Sequence, residues 1–443
     1  MNTRFVLISV CLLFCFRTIS YAGVTISLAE AITIALENNW GITLAENESR
    51  IAELNNSFGH AGFLPSVDIT ASRSRNVNDT YQKYFNGTER EGVNAVSNSM
   101  GTGVALTWTI FDGFDMFIQK KKLVELEAMG TTELRSAIEN TVAQVVVAYY
   151  NIAVQGRLAD VYFEAVQLSS ERKRFAKARI DVGSGSELSY LQSAVDLNTD
   201  SATYMQQLVY YENAKTLLNR ILCRDLFTTF EVSYEIPLKD KLLYEQLWNL
   251  IQEQNPDLMM ARSNLLITSL DTKSYKSVMY PRLNVNTGYN FNKSESEVGF
   301  MMLNRNLGFV MGISLTYNIF DGFNTRNNVA AARIREESAR TEFNQAELDL
   351  QSELLRVYND YLTNLQLVKF ESENRILAMR NLEVAIEKYR IGAINDIDLR
   401  ETQQKLLDAE TRYLNTQYRS KIAETELLRI SGQLSTEIPA SAT

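Results

Sequence analysis

The sequence predicts an α/β chain in which pairs of β-strands run into very long α-helices, with the whole arrangement written twice. Three observations predict it. The run "TWTIFDGFDMF" (107–117) returns 209 residues later as "TYNIFDGFNTR" (316–326). Ahead of the second copy, apolar and small polar residues alternate with a period of two, the mark of a strand with one greasy face. Behind it, residues 323 to 391 contain neither glycine nor proline and step at helical spacing, which at 1.5 Å per residue allows a rod of ~100 Å.

The first element in chain order is an export signal over residues 1–22. Arg4 gives a positive start, "FVLISVCLLFCF" (5–16) is a twelve-residue apolar run, and Ser20-Tyr21-Ala22 is a small-x-small cleavage site. Twelve residues are too few for a helix to cross ~30 Å of hydrocarbon, so the segment is not read as an anchor. Phe14 ahead of Cys15 is too bulky for a lipoprotein cleavage site. Removing the signal takes Cys11 and Cys15 with it and leaves Cys223 alone, which excludes an internal disulfide framework. Cys223 is read as a buried, inert thiol. The remaining 421 residues suffice for two ordinary domains or one large one. A net charge of −9 offers no basic face, so no nucleic-acid partner is expected. The best later apolar stretch, "VAQVVVAYYNIAV" (142–154), is broken by Gln144 and Asn151. No transmembrane helix is expected after the signal, and any membrane crossing falls to strands.

Prolines frame the repeat. Pro65 and Pro281 lie 216 residues apart, each between a helical stretch and a strand, and "ALENN" (35–39) and "IQEQN" (251–255) share that spacing. From Phe-Asp-Gly onward the spacing is 209, and it holds for 71 residues, from Asp112 to Gly183 and from Asp321 to Gly392. A rigid element has been duplicated, and a loop absorbs the difference. The two structural repeats are placed at 23–237 and 238–443, with Pro237 between the halves. In the second, Leu283, Val285, Thr287, Tyr289 and Phe291 alternate with polar residues, and Phe309, Met311, Ile313, Leu315, Tyr317 and Ile319 do so again. In the first, Val67, Ile69 and Ala71, then Val104, Leu106, Trp108 and Ile110, carry the pattern more weakly around a polar loop placed at 73–100.

Each strand pair ends in Phe111-Asp112-Gly113 or Phe320-Asp321-Gly322. A carboxylate there can accept hydrogen bonds from the first free N–H groups of a helix, and glycine lets the chain turn sharply. Phe114, Phe323, Trp108 and Tyr317 crowd the same place, as aromatic rings do at a membrane–water boundary. Inside the second long helix Leu354, Tyr358, Tyr361, Leu365 and Val368 step by four and three as a coiled-coil seam. Leu348, Leu355 and Leu362 add a stripe beside it, which calls for neighbours on both flanks. The strands have the greasy-out, small-polar-in pattern of a transmembrane barrel. Four strands cannot close one, so several chains must share eight, twelve or sixteen. The soluble alternative is a sandwich whose strands feed core helices.

These features together resemble the outer-membrane efflux proteins of the TolC family along essentially all of the mature chain. The resemblance rests on "ISLAEAITIALENN" (26–39), the two prolines before strands, and strand-Phe-Asp-Gly twice in order. Two helix-to-helix turns complete it, "DVGSGSELSYLQSAVDLN" (181–198) and "YRIGAINDIDLRETQQ" (389–404). It implies an α/β membrane channel: a homotrimer whose twelve-stranded outer-membrane β-barrel, four strands per chain, continues into a long periplasmic α-helical barrel. It also implies a passive exit duct in contact with outer-membrane lipid. Such a duct works with a periplasmic adaptor (a membrane fusion protein) and an inner-membrane RND or ABC pump, in tripartite efflux or type I secretion. No cofactor is implied.

No catalytic constellation accompanies these motifs. The one histidine, His60, adjoins "AGFLP", and "GSGS" (183–186) lacks the Lys-Ser/Thr ending of a phosphate loop. The resemblance puts tip turns at Gly183 and Gly392 and a channel constriction just beyond the second. The family's acidic residues six and nine positions past that glycine fall on Asp398 and Glu401, one turn apart on one helix face. Three copies of each would stack two anionic rings that attract cations; the plainer reading is two solvated helix charges. Tyr389 falls on a tyrosine with which the family ties the closed tip. Ile394 departs from an arginine in the family's pattern, leaving Arg390 or Arg400 to replace it or the tie absent, and Ser189 stands where the first turn usually has an acid. The main rival function is a structural or adhesive outer-membrane trimer with coiled-coil stalks. Two strand pairs interleaved with helices speak against it, and the missing site speaks against an exported helical enzyme.

Overall fold

The computed structural model describes residues 25–239 and 242–434, and the export signal read over 1–22 lies outside them. In the first half α1 (Leu28–Asn38) and α2 (Trp40–Asn55) lead into β1 (Ser66–Lys83) and β2 (Glu89–Phe111), then α3 (Asp115–Asp181) and α4 (Glu187–Ile221). In the second, α5 (Tyr244–Gln254) and α6 (Pro256–Ser277) lead into β3 (Arg282–Ser296) and β4 (Leu303–Thr316), then α7 (Asn324–Arg390) and α8 (Asp396–Ile430). The long helices α3 and α7 have 67 residues each, and α4 and α8 have 35 each. The duplication of these hairpin helices is exact in length, as a rigid rod requires.

The same chemistry starts these helices in both halves. Asn39 ends α1 and caps α2, accepting from the amides of Gly41 and Ile42. Asn255 does the same between α5 and α6, accepting from Leu258. Each asparagine also donates its side-chain amide, at 2.8 Å, to a carbonyl at the end of the shorter hairpin helix of its own half, Ile221 or Ile430. One side chain thus satisfies orphan groups of two helices, and losing such a cap typically costs ~1 kcal/mol. Pro65 and Pro281 stand immediately before β1 and β3, where a missing N–H costs the ladder nothing.

The strands form one antiparallel sheet in the order β1-β2-β3-β4. Its register gathers the alternating residues into two faces. One face carries five rows: Phe111-Leu283-Leu315, Trp108-Val285-Ile313, Val67-Leu106-Thr287-Met311, Ile69-Val104-Tyr289-Phe309 and Ala71-Thr102-Phe291-Leu307. These rows rise ~27 Å along the strand. A barrel tilt of ~40° reduces that to ~20 Å, near the ~25 Å apolar band of outer-membrane barrels. The opposite face is small and polar, with Gly101, Gly103, Gly288, Gly308 and Gly312 among serines, threonines and asparagines.

The ladder corrects three expectations. The loop placed at 73–100 is mostly strand, since β1 and β2 stay paired from Ser66 and Thr107 out to Lys83 and Glu89. Beyond Ala71 charged and polar residues such as Arg73, Arg75 and Asn98 interrupt the outward face, so the apolar signal fades while the backbone pairing continues. β4 ends at Thr316, which leaves Tyr317 and Ile319 past the sheet. A bulge between Thr109 and Phe111 drops Ile110 from the alternation and brings Phe111 onto the greasy face. Cys223, expected to be buried, is half-buried at a φ of 49°.

The core is helical. The stretch 142–154 of α3 packs against Ala31, Ala35, Leu218 and Leu222 from α1 and the end of α4, with Gln144 turned out to the surface. Leu354 and Tyr361 of the expected seam are fully buried in a second core with Ile251 and Leu427. Leu348 and Leu355 of the neighbouring stripe remain 65% and 51% exposed. No helix among the described residues is long and apolar enough to cross a membrane.

Candidate functional site: the strand–helix junctions and the helical tip

At both junctions the chain leaves the sheet through two successive left-handed residues, Gly113 and Phe114 (φ 75° and 73°) and Gly322 and Phe323 (69° and 65°). That conformation is costly for a phenylalanine. Ring packing offsets the cost: Phe111 meets Phe114 edge-on at 5.1 Å, and Phe320 meets Phe323 at 5.3 Å. Asp112 accepts from the Met116 amide at 3.0 Å and Asp321 from the Thr325 amide at 2.7 Å, so each carboxylate satisfies a helix donor. The two junctions differ in cover. A Cβ on Gly113 would lie 2.3 Å from the Ser277 carbonyl oxygen, and Phe114 meets Tyr280 at 6.4 Å. Around Gly322 the nearest atom belongs to Asn324 at 3.9 Å, and Phe320 stays exposed where Phe111 is half-buried.

At the other end of the helices both hairpins turn alike. Gly183 and Gly392 have φ of 76° and 75°. Ser184 N donates to the Arg179 carbonyl at 2.9 Å, and Ala393 N to that of Lys388 at 2.8 Å, closing α3 and α7 in the same left-handed C-cap. Ser186 and Asn395 then cap α4 and α8.

The side chains of the two turns diverge. Asp398 completes a capping box: its amide donates to Asn395 Oδ1 at 2.8 Å, and its carboxylate faces the Asn395 amide. Glu401, one turn on and exposed, bonds Lys405 Nζ at 2.7 Å, and that bond holds its carboxyl below the usual range. Tyr389 is buried, with its ring 4.8 Å from the Arg179 guanidinium, which also donates to the Tyr389 carbonyl at 2.9 Å. Burial, and then the Asp396 carboxylate, push its phenol above the ordinary value.

Sequence reasoning named Arg400 as a candidate at the tip but missed the other residues that join the two hairpins. Arg172 in α3 is 1% exposed and donates to both Asp396 oxygens in α8, at 2.6 and 3.0 Å, and to Asp196 in α4 at 3.1 Å. Arg400 in α8 holds both oxygens of Asp200 in α4, at 2.7 and 2.8 Å, and these bonds raise its pKa above the ordinary value. Ser169 donates to Asp200 as well. Two arginines and three aspartates therefore clamp one hairpin to the other. Of the candidates to replace the arginine absent at Ile394, Arg400 crosses between hairpins, while Arg390 stays with Glu387 on its own helix at 2.8 Å. Ile394 packs against Tyr389 and Leu399 instead. One signal was available: Ala165, Ser169, Arg172 and Ala176 are buried at steps of four, three and four, a seam where an arginine is out of place.

This cluster can lock helices together; its Ser169 hydroxyl donates to an Asp200 carboxylate already held on both oxygens by Arg400. His60 bonds Ser57 at 2.8 Å on the surface, and no described group of His, Cys, Asp or Glu is placed to hold a metal ion.

Both repeats match the family model for the outer membrane efflux protein, over residues 31–222 and 247–433. The chain belongs to the outer membrane efflux protein family. It is an outer-membrane exit channel and not an enzyme, and its helices extend into the periplasm. The outer membrane efflux protein BepC of Brucella suis is 18% identical over 419 residues, 94% of this chain and 87% of that protein. Protein CyaE of Bordetella pertussis is 23% identical over 340 residues, 76% and 68% of the two chains. Among solved structures, the Campylobacter jejuni CmeC outer membrane channel shares this fold of the efflux protein family. Its TM-score is 0.77 at 18% identity, covering 94% of this chain and 89% of that one.

Proposed function

We propose that this efflux-family chain forms the passive exit duct of a tripartite efflux or type I secretion assembly. Three copies, the number the family resemblance implies, share a twelve-stranded barrel and a helical tunnel. A periplasmic adaptor and an inner-membrane RND or ABC pump deliver cargo and energy. The observation that carries the reading is the pair of open sheet edges: β1 and β4 flank the sheet, and among the described residues no further strand pairs with either. Open edges facing lipid leave backbone groups unpaired, so β4 of one copy takes β1 of the next. The helices support the same closure. α2 packs on α3, α3 on α6 and α6 on α7, which leaves α2 and α7 at the flanks. Leu44, Ile51 and Leu54 on α2 and Ile334, Leu348 and Leu355 on α7 are all exposed there. The connector at 56–65 of the next copy then covers the second junction, as Ser277 and Tyr280 cover the first.

Inside the barrel the five polar rows that run across all four strands carry a single charge, Asp68. A wide, nearly uncharged lumen suits varied cargo. Selection falls to the tip, where Asp398 and Glu401 from three copies form two stacked anionic rings. The Arg172–Asp396 and Arg400–Asp200 bonds, with Tyr389 packed beside them, hold the tip shut, and opening requires them to part. The test uses the purified chain in detergent. A trimer that makes ion-conducting pores in planar bilayers is the expected result; a soluble monomer without conductance contradicts the reading.

A further inference from the structure

The outward face of the sheet changes character just above its apolar rows. The next row reads Arg73-Met100-Lys293-Arg305 and the one after it Arg75-Asn98-Glu295-Leu303. Four cations therefore stand on one face in two successive rows. The carboxylate among them, Glu295, is held by Lys293 at 2.5 Å. Glu297, one row further out, is occupied by the Val96 amide at 2.8 Å. Arg73, Arg75 and Arg305 are exposed. Strand spacing and the two-residue step confine the four cations to a patch of ~15 by ~7 Å.

Position gives the patch its meaning. The hairpin turns at 84–88 and 297–302 lie beyond it, while α3 and α7 leave from the opposite end of the sheet. The patch thus marks the margin of the apolar band away from the periplasm. The periplasmic margin is built differently, from Trp108, Phe111, Phe320 and Tyr317, with no matching row of cations. Aromatic rings suit any headgroup region, whereas clustered guanidinium groups pair with phosphate oxygens in a bidentate fashion.

We propose that Arg73, Arg75 and Arg305, with Lys293 neutralising Glu295 among them, bind the phosphates of anionic lipid headgroups in the outer leaflet, an inference that rests on the barrel reading of the sheet. Bound headgroups fix how deeply the barrel sits and link its outer rim to the surrounding leaflet. Each cation near an anionic surface is worth about a five-fold gain in binding.

The test titrates the detergent-solubilised full chain with short-chain phosphatidylglycerol and, separately, with phosphatidylcholine of the same chain length. Bound lipids are counted by native mass spectrometry. Wild type should prefer phosphatidylglycerol. Arg305→Gln should weaken that binding about five-fold, and the quadruple variant R73Q/R75Q/K293Q/R305Q tenfold or more, with phosphatidylcholine binding unchanged. Arg282→Gln, at the other end of the sheet, should leave both unchanged. Equal phosphatidylglycerol affinity in wild type and the quadruple variant overturns the proposal, as does an equal loss from Arg282→Gln. Release of the lipid by millimolar inorganic phosphate would indicate a general anion site and also overturns it. Pore formation by the quadruple variant shows that it still folds and that the channel reading stands whatever the lipid result; a wild type that forms no pores would sink the barrel reading itself.

Discussion

The strand–helix junctions and the helical tips were duplicated at one spacing, yet only the junctions kept their side chains. Both junctions carry Phe-Asp-Gly-Phe, the same pair of left-handed residues and the same carboxylate-to-amide bond. Both tips keep one backbone turn, but the first reads Gly183-Ser184-Gly185-Ser186 and the second Gly392-Ala393-Ile394-Asn395. The arginines of the clamp between hairpins do not obey the repeat. At 209 residues from Arg172 stands Asn381, and at the same distance from Arg400 stands Leu191. Where both halves do one job, launching a helix from a membrane strand, the copies stayed alike. Where the two hairpins must grip each other, the sequences had to become complementary instead of identical.

The sharpest way to break that contrast is to remove the clamp. Arg172→Ala leaves Asp196 and Asp396 facing each other in a nearly dry site, and losing one partner of such a group costs ~3–5 kcal/mol. Hydrogen exchange should accelerate in the tip halves of α3 and α8 and stay unchanged in the strands; acceleration spread evenly along the chain would show that the clamp is not local. In the barrel, Met311 stands in the middle apolar row and Leu315 in the row nearest the periplasm. Met311→Lys should therefore cost ~2–4 kcal/mol and Leu315→Lys no more than ~1 kcal/mol, read from folding into vesicles. Equal costs would mean the band is placed wrongly.

The junctions test assembly. Alanine at Gly113 or Gly322 incurs left-handed strain of ~1–2 kcal/mol. Gly113→Ala adds overpacking of ~1–3 kcal/mol against Ser277. If the next copy covers the second junction, Gly322→Ala should lower the heat-dissociation temperature of the assembled channel as much as Gly113→Ala does. A milder Gly322→Ala would mean that no neighbour packs there.

The smallest effect on stability is expected at the proposed rings. Asp398 and Glu401 are exposed, so the double variant D398N/E401Q should leave assembly intact while removing most of the block of current by multivalent cations. The Lys405 bond lowers the pKa of Glu401, so the charge is present above the ordinary carboxylate range. Its weak stabilisation and its share of the block should both fade as pH falls through that lowered value. Block that survives the double variant places the constriction elsewhere.

Much of this architecture was readable because it is periodic or repeated. The greasy alternation of Leu283 to Phe291 and the glycine-free run of α7 each follow from local rules, while the tip turns at Gly183 and Gly392 were placed by the family resemblance. The hairpin extension of β1 and β2 was not readable, because strands beyond the bilayer need no apolar face. Asp398 was read as a ring residue from the resemblance, and its capping role, implied by an asparagine three residues earlier, was overlooked. The clamp stayed hidden for a deeper reason. Arg172 meets Asp196 across 24 residues and Asp396 across 224, and no local pattern encodes such pairs.

The central claim is that the closed tip is held by charge pairs between the hairpins. Single-channel recording of Arg172→Gln, Arg400→Gln and Tyr389→Phe in planar bilayers tests it most directly. Each arginine variant removes charge-assisted bonds worth ~1.5–3 kcal/mol apiece, so the ratio of open to closed time should rise at least about tenfold. Tyr389→Phe should raise it less. Wild-type gating in both arginine variants, with the channel assembled normally, would contradict the account.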